Sequence, residues 1–172
     1  MADREKIHER YEFRDVRVEE TEETVIIEQT CFPPNEACPP ESMRERVKAA
    51  PGEFLVAIDK EKGTMAGFLN GIATKEEKFR DAFFTDAGLQ DPDGTNVMLL
   101  GLDVMPSYRR QGLAAELVNT YCERARERGR ERLVLTCLEH LVKMYEGMGF
   151  TDLGMADSTW GGEAWHEMEY RL

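Results

Sequence analysis

Residues 96–118 read NVMLLGLDVMPSYRRQGLAAELV, and no other stretch constrains the fold as much. Asn96–Val104 is apolar on both parities, which predicts a central strand buried on both faces. Gly101 inside it predicts a bulge or a close backbone approach. One turn later an amphipathic helix begins. Leu113, Leu117, Val118, Tyr121, Cys122 and Ala125 share one face of it, and Gly129 ends it.

The rest of the chain builds outward from this unit. Arg10–Val18 alternates and reads as a first strand, and EETEETVIIEQTCF reads as a helix with acidic residues in its first turns. The prolines of PPNEACPP forbid regular structure, and ESMRERVKAA then forms a short helix stopped by Pro51 and Gly52. EFLVAID and MAGFLNGIA make a hairpin. Phe79, Phe83 and Phe84 fall on one possible helical face in the polar stretch 74–95. RLVLTC is a strand. LVKMYEGMGF is a helix with Leu141, Met144, Tyr145 and Met148 on one face, and the tail folds as a hairpin around WGGE. The order β-α-α-β-β-β-α-β-α-β-β defines a mixed α/β sheet of about seven strands flanked by about four helices. The 172 residues suit a single domain over 1–172, with residues 1–9 expected to fray.

Composition narrows the function. The net charge of -12 argues against nucleic acid, which needs clustered cations, and suits a cationic partner. No apolar run approaches the roughly 20 residues that span a bilayer, and MADREKIHER has no apolar signal core. A cytoplasmic protein with no membrane partner is expected. Cys31, Cys38, Cys122 and Cys137 lack metal-ligand spacing and read as free thiols, a Cys31–Cys38 bridge being the minor alternative. No metal is expected.

The charge is uneven. Residues 107–132 hold seven Arg and four Glu, so the quoted turn opens a locally basic segment. A strand ending in a loop that opens a helix leaves free backbone N–H groups there, and these with the helix dipole form an anion site. Gly112 permits close approach, Ala114 keeps the first turn small, and Arg109 and Arg110 supply cationic charge. That chemistry suits a pyrophosphate, although a capped surface helix with solvated arginines explains the same six residues.

The R-x-x-G-x-A pattern at Arg109–Ala114, followed one strand later by MYEGMGF, resembles the GNAT superfamily of acetyl-CoA-dependent N-acetyltransferases. The resemblance implies that Arg109, Arg110, Gln111, Gly112, Leu113, Ala114 and Ala115 wrap the pyrophosphate of coenzyme A. It also implies that Leu102, Asp103 and Val104 run beside the pantetheine arm, in a wedge between the Asn96–Val104 and Arg132–Cys137 strands. CLEHLVKMYEGMGF, AWHEM and the Cys38-Pro39 loop are similar to the serotonin (arylalkylamine) N-acetyltransferase branch. That likeness implies an amine pocket made by Phe32, Cys38, Pro39, Leu100, Leu102 and Thr136. The branch relays protons through two central-strand histidines, but Met98 and Leu100 stand at those positions.

The implied reaction is direct attack of a neutral amine on the thioester. Tyr145 is the candidate general acid for the departing sulfur, and also a plausible core residue on its helix stripe. His140 is the candidate base, since histidine titrates near neutral pH; His8, His166 or a water chain ending on Glu139 or Asp103 are alternatives. Glu36 and Glu41 could attract a cationic amine, and Phe32 with Phe79, Phe83 and Phe84 could line an aromatic pocket or simply fill core. The substrate is expected to be a small primary amine, an arylalkylamine or a polyamine. A protein N-terminus, or a coenzyme A sensor without turnover, remains open, as does a monomer or homodimer.

Overall fold

The computed structural model describes residues 3–172. The chain opens with helix α1 (Arg4–Arg10), strand β1 (Tyr11–Asp15) and helices α2 (Thr21–Cys31) and α3 (Pro40–Ala49). Strands β2 (Phe54–Asp59) and β3 (Met65–Thr74) form the expected hairpin. A one-turn helix α4 (Ala82–Thr85) precedes the central strand β4 (Asn96–Val104). Helix α5 (Leu113–Glu127), strand β5 (Arg132–Cys137), helix α6 (Val142–Gly147) and strands β6 (Thr151–Met155) and β7 (His166–Arg171) complete the chain.

The seven strands form one sheet in the order β1-β2-β3-β4-β5-β7-β6. Among the described residues only the β4–β5 pair is parallel, because α5 carries the chain back across the sheet between them. The main core lies between the sheet and α5. Leu113, Leu117, Val118, Tyr121, Cys122 and Ala125 are all buried there, against Val97, Leu99, Leu133 and Leu135. On the other face α2 and α3 cover Phe54, Val56 and Phe68. β4 is thus buried on both faces, as its double-parity pattern requires.

The register fixes where β4 bends. Asn70 faces Gly101 but Gly71 faces Leu99, so Leu100 is an extra residue in β4. Such a bulge raises local twist. β4 and β5 part at the same level: they pair only from Asn96↔Arg132 to Met98↔Val134, although each strand continues further.

Two expectations need correction, on the first residues and on Met144. Residues 4–9 do not fray. Asp3 caps α1 by accepting from the Glu5 amide at 3.0 Å, Ile7 is buried, and Arg4 and His8 bond Glu116 of α5 at 2.8 and 2.9 Å. Residues 1–2 lie outside the described residues. Among the described residues the helices number six, the four expected together with α1 and the one-turn α4. Met144 leaves the buried stripe of its helix: it is 39% exposed, while Leu141, Tyr145 and Met148 pack on the core. The helix itself is shorter than the pattern suggested, with Glu139–Leu141 forming a 3-10 turn before it.

Candidate functional site

Where β4 and β5 part, a cavity of about 650 Å³ opens. Its walls come from both strands. Leu99, Leu100, Gly101, Leu102 and Val104 face Leu135, Thr136, Cys137 and Leu138. Two parted strands leave backbone N–H and C=O groups without a ladder partner, and those groups favour an extended ligand carrying amides. Tyr145, Met144, Leu141 and His140 close one side, and Ala114 and Val118 show that the cavity reaches the first turns of α5.

The turn before α5 is shaped by two left-handed residues. Arg110 has φ 62 and Gly112 has φ 83. Gly112 sits at the N-cap with no side-chain cap, so the first amides of α5 stay available to an anion. The side chains of the turn behave less uniformly than the motif implied. Arg109 folds back, and its Nε donates to the Val104 carbonyl at 2.8 Å. Gln111 turns away, its Oε1 accepting from Arg10 at 2.8 Å and Tyr11 at 3.2 Å. Leu113 is buried in the core, so it can offer a ligand only its backbone. Arg110 and Ala115 are exposed.

Tyr145 lines the cavity and packs edge-on against Phe150 at 5.6 Å. It is therefore both a packing residue and a cavity residue. Burial raises its phenol well above the ordinary range, with Cys137 and Asp103 adding to the effect. The phenol is thus held protonated, as a donor must be, but as a weaker acid than in water. A thiolate in the same dry cavity is disfavoured by the same physics, so the transfer to sulfur does not become steeper by that full amount.

The amine-side residues divide. Phe32, Leu100, Leu102 and Thr136 line the cavity. Cys38 and Pro39 do not. Cys38 is 3% exposed and lies behind the wall, its amide donating to Glu28 Oε2 at 2.9 Å, while Pro39 is exposed at the start of α3. The proline pair spends its geometry on starting that helix. Cys31 and Cys38 are both free thiols. Met98 is fully buried with Ile72, Phe79 and Phe83, so those two phenylalanines are core, and only Phe84 of the three reaches the cavity. Phe84 stacks on Trp160 at 4.7 Å, and the Trp160 indole donates to the Glu36 carbonyl at 2.8 Å. This aromatic wall and the neighbouring Trp165 had no signal in the sequence beyond residue type, because tail and first loop meet only in the folded chain.

Among the alternative bases, His140 lines the cavity and Glu139 does not. His166 bonds Asp152 at 3.1 Å, and His8 bonds Glu116; both are engaged elsewhere. Of the two loop acids, Glu36 lines the cavity, its carboxyl raised by burial and by Glu163, whereas Glu41 pairs with Arg44 on the surface. Glu28, which the sequence reading passed over, lines the cavity too. Among the described residues no cluster of three metal-ligating side chains occurs and no helix is long and apolar enough to cross a membrane.

Residues 19–150 match the model of the acetyltransferase (GNAT) family, and the chain belongs to that family of acetyltransferase enzymes. No curated protein matches it in sequence. Its fold is similar to the loading GNATL domain of CurA from Lyngbya majuscula, with a TM-score of 0.81 at 15% identity over 94% of this chain and 97% of that one. It is also similar to the GphF GNAT-like decarboxylase in complex with isobutyryl-CoA, with a TM-score of 0.77, 19% identity, and coverage of 93% and 98%. Ard1 from Thermoplasma volcanium follows at 0.71 and 17%, with coverage of 94% and 97%. At these identities the likeness is one of fold.

Proposed function

We propose that the protein is an N-acetyltransferase that moves the acetyl group of acetyl-CoA to a primary amine. The observation that carries this reading is the cavity between the parted ends of β4 and β5, which runs to the uncapped N-terminus of α5. The edge of β4 that β5 leaves unpaired beyond Met98 suits the two amides of a pantetheine arm. The α5 amides, Gly112 and the two arginines suit its pyrophosphate. The GNAT-like decarboxylase of similar fold holds isobutyryl-CoA, in keeping with an acyl-CoA in this cavity.

The cavity chemistry favours a small cationic amine with an apolar body. Its lining is apolar and aromatic at Phe32, Phe84, Trp160 and Trp165, with the carboxyl groups of Glu28 and Glu36 among them. The likeness of CLEHLVKMYEGMGF and AWHEM to the serotonin N-acetyltransferase branch points the same way. In this reading the amine nitrogen attacks the thioester carbonyl directly, and Tyr145 protonates the departing sulfur. His140 is one route for the proton that the ammonium must lose.

Two measurements test the reading. Coenzyme A should raise the melting temperature; at 100 times Kd, mass action gives about 2.7 kcal/mol. Thiol release from acetyl-CoA should then be seen with 2-phenylethylamine or putrescine and not with a protein N-terminal peptide. Binding without turnover on any amine would make the protein a coenzyme A sensor instead.

A further inference from the structure

Glu28 of α2 and Asp103 of β4 are two buried carboxyl groups whose hydrogen bonding is incomplete. Asp103 is 0% exposed and neither of its oxygens has a partner among the described residues. Glu28 is 4% exposed; its Oε2 accepts from the Cys38 amide, but its Oε1 has no partner. The two groups meet at one place. A methyl group built on Gly101 would lie 3.0 Å from Asp103 Oδ1 and 3.4 Å from Glu28 Oε1. This is a reason for glycine there that has nothing to do with backbone dihedrals. The bulge at Leu100 reverses the parity of β4, so Gly101 and Asp103 continue the face of the sheet that carries Met98.

One cation stands behind the pair. Arg46 is 2% exposed and donates to Asn70 Oδ1 at 2.9 Å, the Phe84 carbonyl at 2.8 Å and Cys38 Sγ at 3.0 Å. None of these acceptors is a carboxylate. Two carboxylates opposite one buried guanidinium would leave a net negative charge out of water, which is strongly unfavourable. One carboxyl proton removes the excess charge and lets one of the two groups donate to the other. Asp103 is the holder: burial, then the charge of Glu28, raises its pKa well above the usual carboxylate range.

We propose that Glu28 and Asp103 share one proton, and that Glu28, the member lining the cavity, binds the substrate ammonium and accepts its proton. The proposal rests on the acetyltransferase reading above. The protons balance as follows. The ammonium gives one proton to the Glu28 carboxylate, and the neutral nitrogen forms the C–N bond. As the C–S bond breaks, Tyr145 protonates sulfur, and the second nitrogen proton returns to Tyr145. The Glu28 proton leaves to solvent, so each turnover releases one proton overall. Asp103 is a positioning residue, since it lies behind Glu28 and does not line the cavity. The other groups facing the pair are Cys31 of α2, Cys38 of the loop, Arg46 of α3 and Asn70 of β3, with Arg109 beside Cys31.

The test compares wild type, Glu28→Gln and Asp103→Asn, using acetyl-CoA with 2-phenylethylamine and putrescine. Coenzyme A should raise the melting temperature of all three proteins, which shows that each is folded. Glu28→Gln should lower kcat/KM about 10²–10⁴-fold. Its remaining acid limb should track the pKa of whichever amine is used, whereas the wild-type limb should be the same for both. Asp103→Asn keeps a neutral donor beside Glu28 and should hold turnover within tenfold. It should also remove the infrared band of a protonated carboxyl that wild type shows at pH 7. Normal turnover by Glu28→Gln, or no such band in wild type, overturns the proposal while leaving the acetyltransferase reading intact. Loss of the acid limb in His140→Gln overturns it too. A wild-type protein that acetylates neither amine overturns both.

Discussion

The Nε of Arg109 donates to the carbonyl of Val104 at 2.8 Å, so the last residue of β4 is closed by the first arginine of the turn that follows it. The same guanidinium lies close enough to Cys31 to offset part of the rise that burial imposes on that thiol. Arg109 is exposed, but these contacts hold it at the wall of the cavity. Replacing it with alanine should weaken coenzyme A binding about 10-fold, the scale of one charge-assisted hydrogen bond near solvent. Calorimetric titration measures this. Equal or tighter binding by Arg109→Ala would show that the arginine serves the strand end and competes with the ligand.

Gly112 makes a sharper prediction. Its φ of 83 lies in the left-handed region, and it stands at the N-cap of α5. Gly112→Asp would strain the backbone and place a negative charge beside the amides offered to phosphate. Coenzyme A affinity should drop at least 100-fold. The helix itself should survive, because aspartate is a good N-cap residue. Affinity unchanged by this substitution would place the pyrophosphate elsewhere.

The contact of α1 with α5 predicts a pH effect on stability. Burial raises the Glu116 carboxyl, but Arg4 and His8 outweigh it and hold the group below its ordinary value. A carboxyl depressed in the folded state adds stability above its unfolded pKa of about 4.3, and that stability is lost as pH falls through the folded value. Glu116→Gln should therefore cost about 1–2 kcal/mol at pH 7, since Arg4 is half exposed and the pair is partly screened. At pH 3 the variant and wild type should converge. Denaturant melts at the two pH values decide it; an equal cost at both would mean that Glu116 acts by packing alone.

That contact also shows what the sequence hides. β2, β3, β4, α5 and β5 were legible because each is a contiguous run whose apolar period names its element. The Arg109–Ala114 turn was legible because its neighbours are adjacent in the chain. α1 was not: it is seven residues long, mostly charged, and its partner Glu116 lies 112 residues from Arg4. Nor was the buried state of Glu28, which sits on a helix whose other acids are exposed at Glu22 and half-buried at Glu23. Nothing in EETVIIEQTC marks one glutamate for the interior; Gly101, Asp103 and Cys38 do so only once the sheet is formed. Cys38-Pro39 misled in the other direction. Its motif suggested a pocket wall, and the fold uses it to start α3 and to anchor Glu28.

Tyr145→Phe separates catalysis from packing. The phenol makes no hydrogen bond within the described residues, while its ring packs against Phe150 and on the main core. Phenylalanine keeps the ring and removes only the hydroxyl, so the melting temperature should change by no more than a few degrees. Coenzyme A affinity should stay within threefold, since the cavity loses one oxygen and no charge. Turnover should fall 10²–10⁴-fold, the range for loss of a positioned general acid. The raised pKa of the phenol sets the pH dependence. A group whose pKa lies far above neutrality stays protonated across the working range, so it contributes no basic limb of its own below pH 10. Wild type and Tyr145→Phe should thus share the shape of the pH profile from pH 6 to pH 9 and differ only in height. A basic limb present in wild type and absent from Tyr145→Phe would mean that the hydroxyl titrates within that range and that the dry cavity inferred around it is open to water. Full turnover by the variant would return Tyr145 to the core and leave the sulfur to take its proton from solvent.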